Sequence, residues 1–177
     1  MKKFVAVFAV FLLLSVVRYQ TLNADYPQDV EIEEKTLPVT YEQDGISFTV
    51  HRVTMDTVTR DEEEDKPLIR VVAHLTIENE SAEDVPLPLV LNQMHLNNFS
   101  KTFSTIQPPI DGDDPEEIVI PADETIEFDA EYLVAKLNQE EQMVYLAIIP
   151  ELYEEKYQEK LEQKILYYET IPVEGAL

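Results

Sequence analysis

The sequence predicts an all-β domain, an antiparallel sandwich of two sheets, on three observations. The first is Leu68 to Ser81, LIRVVAHLTIENES, where Ile69, Val71, Ala73, Leu75 and Ile77 share one parity. Arg70, His74, Thr76 and Glu78 share the other, so one side suits a core and the other suits water. The second is Thr125–Val134, where Ile126, Phe128, Ala130, Tyr132 and Val134 alternate with mostly acidic residues. The third is punctuation: 11 prolines but only 3 glycines among 177 residues, set between short apolar stretches.

The chain opens with a segment that reads as a targeting signal. Met1-Lys2-Lys3 is positive, and Phe4–Val17 is apolar apart from Ser15. Fourteen residues suit a signal-peptide core and fall short of the roughly 20 needed to span a bilayer. Residues 1–24 are therefore a signal peptide cleaved after Ala24 or an uncleaved signal-anchor; Leu22 is large for the cleavage position. Either outcome places the rest outside the cytoplasmic membrane, secreted or anchored to its outer face.

Residues 25–43 read as a polar linker, with a short edge strand at Leu37–Tyr41. The sandwich is expected over 44–149. Asp44-Gly45 signals a turn. Ile46, Phe48 and Val50 alternate, then Val53 and Met55 continue on the other phase, which implies a bulge near His51-Arg52. Arg60–Pro67 is a loop with five consecutive acidic residues, Asp61–Asp65. Leu68–Asn79 is the central strand, and Asn79-Glu80-Ser81 ends it with turn chemistry.

Val85–Leu91 contains Pro86 and Pro88 and is expected to be an edge strand or an extended crossing segment. Met94–Phe103 should bury Leu96, Phe99 and Phe103. Ser104–Glu117 is a long loop, Ile118–Ile120 is extended, and Pro121–Glu124 is a turn before the Thr125–Val134 strand. Met143–Ile149 is apolar throughout, as a strand buried on both faces would be. In 150–177 the period changes: Tyr153, Tyr157, Leu161 and Ile165 are spaced by four after Pro150, predicting an amphipathic helix over Pro150–Lys164. Ile165–Val173 is a last strand. Seven or eight strands in about 125 residues is the pattern of an immunoglobulin-like sandwich.

The order of features resembles the DUF4352-like, immunoprotective-extracellular-type sandwiches of Gram-positive exported proteins. The likeness covers about Gly45–Ile149. It rests on ISFTVHRVTM, on VVAHLTIENES with its Asn-x-Ser ending, on IVIPADETIEFDAEYLV with its proline turn, and on VYLAI. Such proteins stand behind a signal peptide or lipoprotein anchor. This chain has no lipobox and carries Ala122 where the family usually has Gly. The resemblance implies an extracytoplasmic sandwich and carries over no site residue.

Charge narrows the function. The net charge is −23. Without Lys2, Lys3 and Arg18, 10 basic residues face 36 acidic ones, a net of −26. That field repels phosphate backbones and argues against nucleic-acid binding. The absence of Cys excludes disulfides, thiolate metal sites and a Cys nucleophile.

Catalytic and cofactor signatures do not stand out. Ser47, Ser81, Ser100 and Ser104 lack the context of an activated nucleophile, and no pair of carboxylates is singled out for glycosidase chemistry. Asp111, Asp113 and Asp114 are weak candidates for Ca²⁺, without the spacing of a calcium loop. His51, His74 and His95 lie on separate segments, and His74 is expected to have an exposed cross-strand partner. Tyr153, Tyr157, Leu161, Tyr167 and Tyr168 are candidates for partner binding, because aromatic side chains anchor interfaces at low entropic cost; packing onto the sandwich is the competing reading. The expectation is a non-catalytic binding module at a bacterial cell surface, with a protein partner at the membrane or wall. Its mechanism would be contact through a sheet edge, the Val85–Leu91 crossover or the tyrosine-bearing segment. A cation- or basic-ligand-binding protein using the acidic loops is the alternative, and an enzyme of unknown type the second.

Overall fold

The structure is a computed structural model. It describes residues 15, 18–19, 26–27, 29–58, 68–97, 102–103, 117–135 and 144–173. Residues 1–14 of the expected leader, the run Asp61–Asp65, and Asp111, Asp113 and Asp114 lie outside these. Among the described residues, no helix is long and apolar enough to cross a membrane.

The described chain is mostly β-strand in antiparallel-rich sheets, an all-β fold. β1 (Asp29–Glu34) and β2 (Val39–Gln43) come first. The segment expected as a linker thus carries two strands. Charge hid β1: Glu31 and Glu33 sit on the more covered parity, and Val30 and Ile32 on the exposed one.

β2 and β3 (Ile46–Val58) form a hairpin closed by Asp44-Gly45. Both turn residues have positive φ, 54° and 78°. That is the backbone twist a two-residue hairpin loop prefers, and Asp-Gly is suited to it. β3 pairs with β4 (Leu68–Asn79) with a register shift between Val50 and Arg52. His51 is the extra residue of the expected bulge. Through it Val50 and Val53 both reach the core, while His51 and Arg52 face solvent. β4 is central, with Ile69, Val71, Ala73, Leu75 and Ile77 all buried.

After β4 the chain departs from expectation. β5 is only Val85–Pro86, and Leu87–Leu91 is a short helix, α1, not an extended crossing segment. Pro88 lies in the first turn, where a missing N–H costs no intrahelical hydrogen bond. Leu87, Val90 and Leu91 fall on one helical face and are buried, and Leu89 is exposed. β6 (Met94–Asn97) and β7 (Thr102–Phe103) pair next to each other. β8 (Val119–Ile120) pairs with β5. β9 (Glu124–Ala135) runs beside β4. β10 (Tyr145–Ile148) lies between β6 and the last strand, β11 (Ile165–Pro172). Before β11 come a 3₁₀ turn, Pro150–Tyr153, and the helix α2, Glu154–Glu162. The expected helix is therefore split, its first turn wound tighter than the rest.

The strand order is β2-β3-β4-β9 in one sheet and β1-β11-β10-β6-β7 in the other. One hydrophobic core draws on both. Phe48, Val50, Val53, Leu75 and Ile77 come from the first sheet, Leu96, Leu146, Ile148 and Ile171 from the second, and α1 adds Leu87, Val90 and Leu91. Each such large side chain contributes about 1.5–3 kcal/mol when fully buried.

The chain divides into two compact units. The larger comprises Ile32–Glu154 and Tyr168–Leu177, and holds the core just described. The smaller comprises Glu155–Tyr167 and the chain up to Glu31. In it the Lys160 ammonium donates to both carboxylate oxygens of Glu31 at 2.8 and 2.7 Å. Lys156 and Lys160 also stand over the Tyr167 ring, 4.7 and 5.9 Å from its centroid.

Candidate interaction surface

Asn79 fixes the end of β4. It is fully buried, yet its amide is satisfied on both sides. The Nδ2 group faces the carbonyls of Glu83, Ile120 and Pro121 at 2.9, 3.0 and 3.1 Å. Oδ1 accepts from the Ser81 N–H at 3.0 Å and the Ser81 hydroxyl at 2.6 Å. The expected turn chemistry is present, and it does more than close a turn: it ties the β4 exit to the β8–β9 corner. At that corner Asp123 takes a positive φ of 59° and the Glu124 N–H donates to the Pro121 carbonyl.

This corner launches β9, which carries the candidate surface. β9 pairs with β4 residue for residue over its twelve positions, Leu68↔Ala135 to Asn79↔Glu124, without a register shift. It is the outer strand of its sheet; among the described residues no strand lies beyond it. Half of an edge strand's backbone N–H and C=O groups point outward, ready to pair. Natural edges are usually blunted by proline, charged side chains, a bulge or brevity. β9 has no proline or bulge and is long; along its accessible part it is guarded by acidic side chains alone, Glu124, Glu127 and Asp129.

The two sides of this edge differ. Toward the core, Ile126 and Phe128 are half-buried, whereas their β4 partners Ile77 and Leu75 are buried. Toward solvent, Thr125, Glu127 and Asp129 are exposed. Further along, Glu131, Tyr132 and Leu133 are buried, so the accessible part is Glu124–Asp129.

The solvent face of the same sheet is a ladder of cross-strand polar pairs. Thr40 meets Thr49 at 2.8 Å, and the His51 Nε2 meets the Thr76 hydroxyl at 2.7 Å. The His74 Nδ1 meets Asp129 at 2.6 Å, and Arg70 grips Asp56 with two nitrogens. The hydrogen bond from Arg70 holds the Asp56 carboxyl below its ordinary range. Such exposed pairs each contribute a few tenths of a kcal/mol and mainly fix register. His74 has the exposed partner expected of it. His95 lies on β6, in the other sheet. Among the described residues, no three His, Asp or Glu side chains form a metal-holding group.

One polar cluster lies inside. Glu169 on β11 is buried. It accepts from the Lys35 ammonium at 2.8 Å and from the Tyr41 hydroxyl at 3.1 Å. Lys35 also reaches Glu33 at 2.9 Å. Burial pulls the Lys35 ammonium down, but the hydrogen bonds and charges of Glu169 and Glu33 outweigh it and raise it above its ordinary value. Burial, and then the Glu169 carboxylate, push the Tyr41 hydroxyl well up. Sequence reading missed this cluster because Tyr41 and Glu169 stand 128 positions apart and no local pattern joins them. Tyr132 is a different case: it is buried, and its hydroxyl has no hydrogen-bond partner among the described residues.

The tyrosine-bearing candidates are divided between the two units. Tyr153 and Tyr168 belong to the larger unit, and Tyr157, Leu161 and Tyr167 to the smaller. The Tyr153 hydroxyl donates to the Ile148 carbonyl at 3.1 Å and accepts from the Glu169 N–H at 3.3 Å, and its ring packs on the core. Tyr167 is buried beneath its two lysines. Tyr157, Leu161 and Tyr168 are half-buried.

In comparisons with known proteins, no family model, curated protein or solved structure matches the chain.

Proposed function

We propose that the chain is a non-catalytic interaction module of immunoglobulin-like sandwich type, working outside the cytoplasmic membrane at a bacterial cell surface. The accessible β9 edge supports this reading most. A long edge guarded by acidic side chains alone still carries an aggregation cost, and a binding role offsets it. The −23 charge suits this setting: it favours solubility and restrains association between copies. The lysine-led apolar opening, Met1–Val17, supplies the route out of the cytoplasm. The resemblance to exported Gram-positive sandwiches points the same way.

The test is expression of the full chain in a Gram-positive host, followed by fractionation and N-terminal sequencing. The reading expects the protein in the membrane, wall or medium fraction. It begins at Asp25 if cleaved and at Met1 if anchored. A predominantly cytoplasmic pool overturns the location.

A further inference from the structure

We propose that the edge of β9 over Glu124–Asp129 takes an extended partner segment in which basic and apolar residues alternate. This rests on the reading of that edge as the working surface, and it names the partner's chemistry. Side chains directly opposite one another in an antiparallel pair lie on the same face. An added strand therefore meets Ile126 and Phe128 on the core side and Thr125, Glu127 and Asp129 on the solvent side. The half-buried Ile126 and Phe128 gain cover from apolar residues set beside them. Glu127 and Asp129 are exposed, the Asp129 side chain at 65%, and call for Lys or Arg across the pair. Backbone pairing supplies much of the affinity, and the alternation supplies the selectivity.

The same charges disfavour a second copy of this chain as the occupant. Antiparallel pairing of β9 with itself, centred on Glu127, sets Glu127 against Glu127. Centring on Phe128 sets Glu127 against Asp129, and centring on Asp129 sets Asp129 against Asp129. Like charges directly opposite are unfavourable, and both copies carry the same large negative charge. In these registers the edge is guarded against itself; centred on Ile126 it sets Thr125 against Glu127, and there only the overall charge of the two copies opposes pairing. A basic strand meets no such opposition.

The experiment uses the full chain and three synthetic peptides: alternating Lys and Val, alternating Glu and Val, and the Lys–Val peptide with a central proline. Binding is read by fluorescence anisotropy and by hydrogen exchange of the β9 amides. The Lys–Val peptide should bind at least tenfold more tightly than the Glu–Val peptide and slow exchange within Thr125–Asp129. The proline peptide should lose that protection, since it cannot complete the ladder. In the double variant Glu127→Lys, Asp129→Lys, the preference between the charged peptides should invert.

Equal binding of the proline and Lys–Val peptides, or protection spread over other strands, would mean unspecific attraction to an acidic surface and overturn the proposal. If neither charged peptide binds but a wall or membrane fraction protects the β9 amides, the charge rule fails and the edge reading stands. If the outward-pointing amides, those not bonded to β4, are already protected in the free chain, or self-association protects them, both fall.

Discussion

Replacing Asn79 tests the reasoning about the β4 exit most directly. The amide orientation is set by its surroundings, with three carbonyls on the nitrogen side and a donor pair on the oxygen side. Two N–H bonds serve three carbonyls, so at most two are fully satisfied at once. The Ile120 contact is buried, whereas the Glu83 and Pro121 contacts lie nearer solvent. In Asn79→Ala, water can replace the amide at the outer two but not readily at Ile120. Two lost bonds at about 1 kcal/mol each, with about 1 kcal/mol more for the stranded carbonyl, give a loss of about 2–4 kcal/mol. With a urea slope of about 2 kcal/mol per molar, the midpoint should fall by about 1–2 M. Asn79→Asp keeps the shape but puts an acceptor against three carbonyls, and should cost more than alanine. Ser81→Ala removes a hydroxyl donor while leaving the N–H bond, and should cost about 1 kcal/mol. Urea unfolding followed by circular dichroism gives all three. If Asn79→Asp matched the parent chain, or Asn79→Ala lost under about 0.5 kcal/mol, the amide would not be holding the corner.

Three further outcomes follow from particular groups. Tyr132→Phe removes a buried hydroxyl that has no described partner and should leave stability unchanged or raise it by up to about 1 kcal/mol, read as a urea midpoint; a loss above that would mean the hydroxyl is bonded. Lys35 and Tyr41 are both raised in the fold, so their contribution is fully present below their unfolded values, about pH 10, and is lost as pH climbs through the folded ones. Thermal melts from pH 8 to 11.5 should show Lys35→Met less stable than the parent at pH 8, with the gap closing at the alkaline end; a constant gap would refute the linkage. Gly45→Ala meets only ordinary contacts at Ser81, but forces alanine to a φ of 78°; it should cost about 1 kcal/mol in the same melts at pH 8, and a stabilised variant would contradict the turn geometry.

Strands with clean alternation were legible because one face of each is dry. β4, β9, the turn at Asp44-Gly45 and the bulge at His51 all follow from that. Leu87–Leu91 was not, because two prolines argue for extension unless one sits in a helix's first turn, and five residues give too little periodicity to decide. β1 hid for the opposite reason: its inward positions are glutamates, satisfied by Lys160 in the smaller unit and by Lys35 in the larger. The candidate surface was half legible. The sequence marks β9 as a strand and offers a sheet edge as one mode of contact, but whether a strand is central or outermost depends on pairing between distant segments.

The bulge at His51 also bears on how this chain can change length. Every residue of β3 before it is in one phase and every residue after it in the other, so His51 is where the strand resets. Deleting His51 would make Val50 and Arg52 neighbours, restore plain alternation and keep the Val50↔Leu75 and Arg52↔His74 pairs, so the bulge would vanish with the faces intact. Deleting or inserting one residue elsewhere in β3 would turn the rest of the strand inside out or slide it against β4. Changes of length should therefore be confined to the loops and to position 51, and β3 should accept substitutions at many positions but gaps at almost no other.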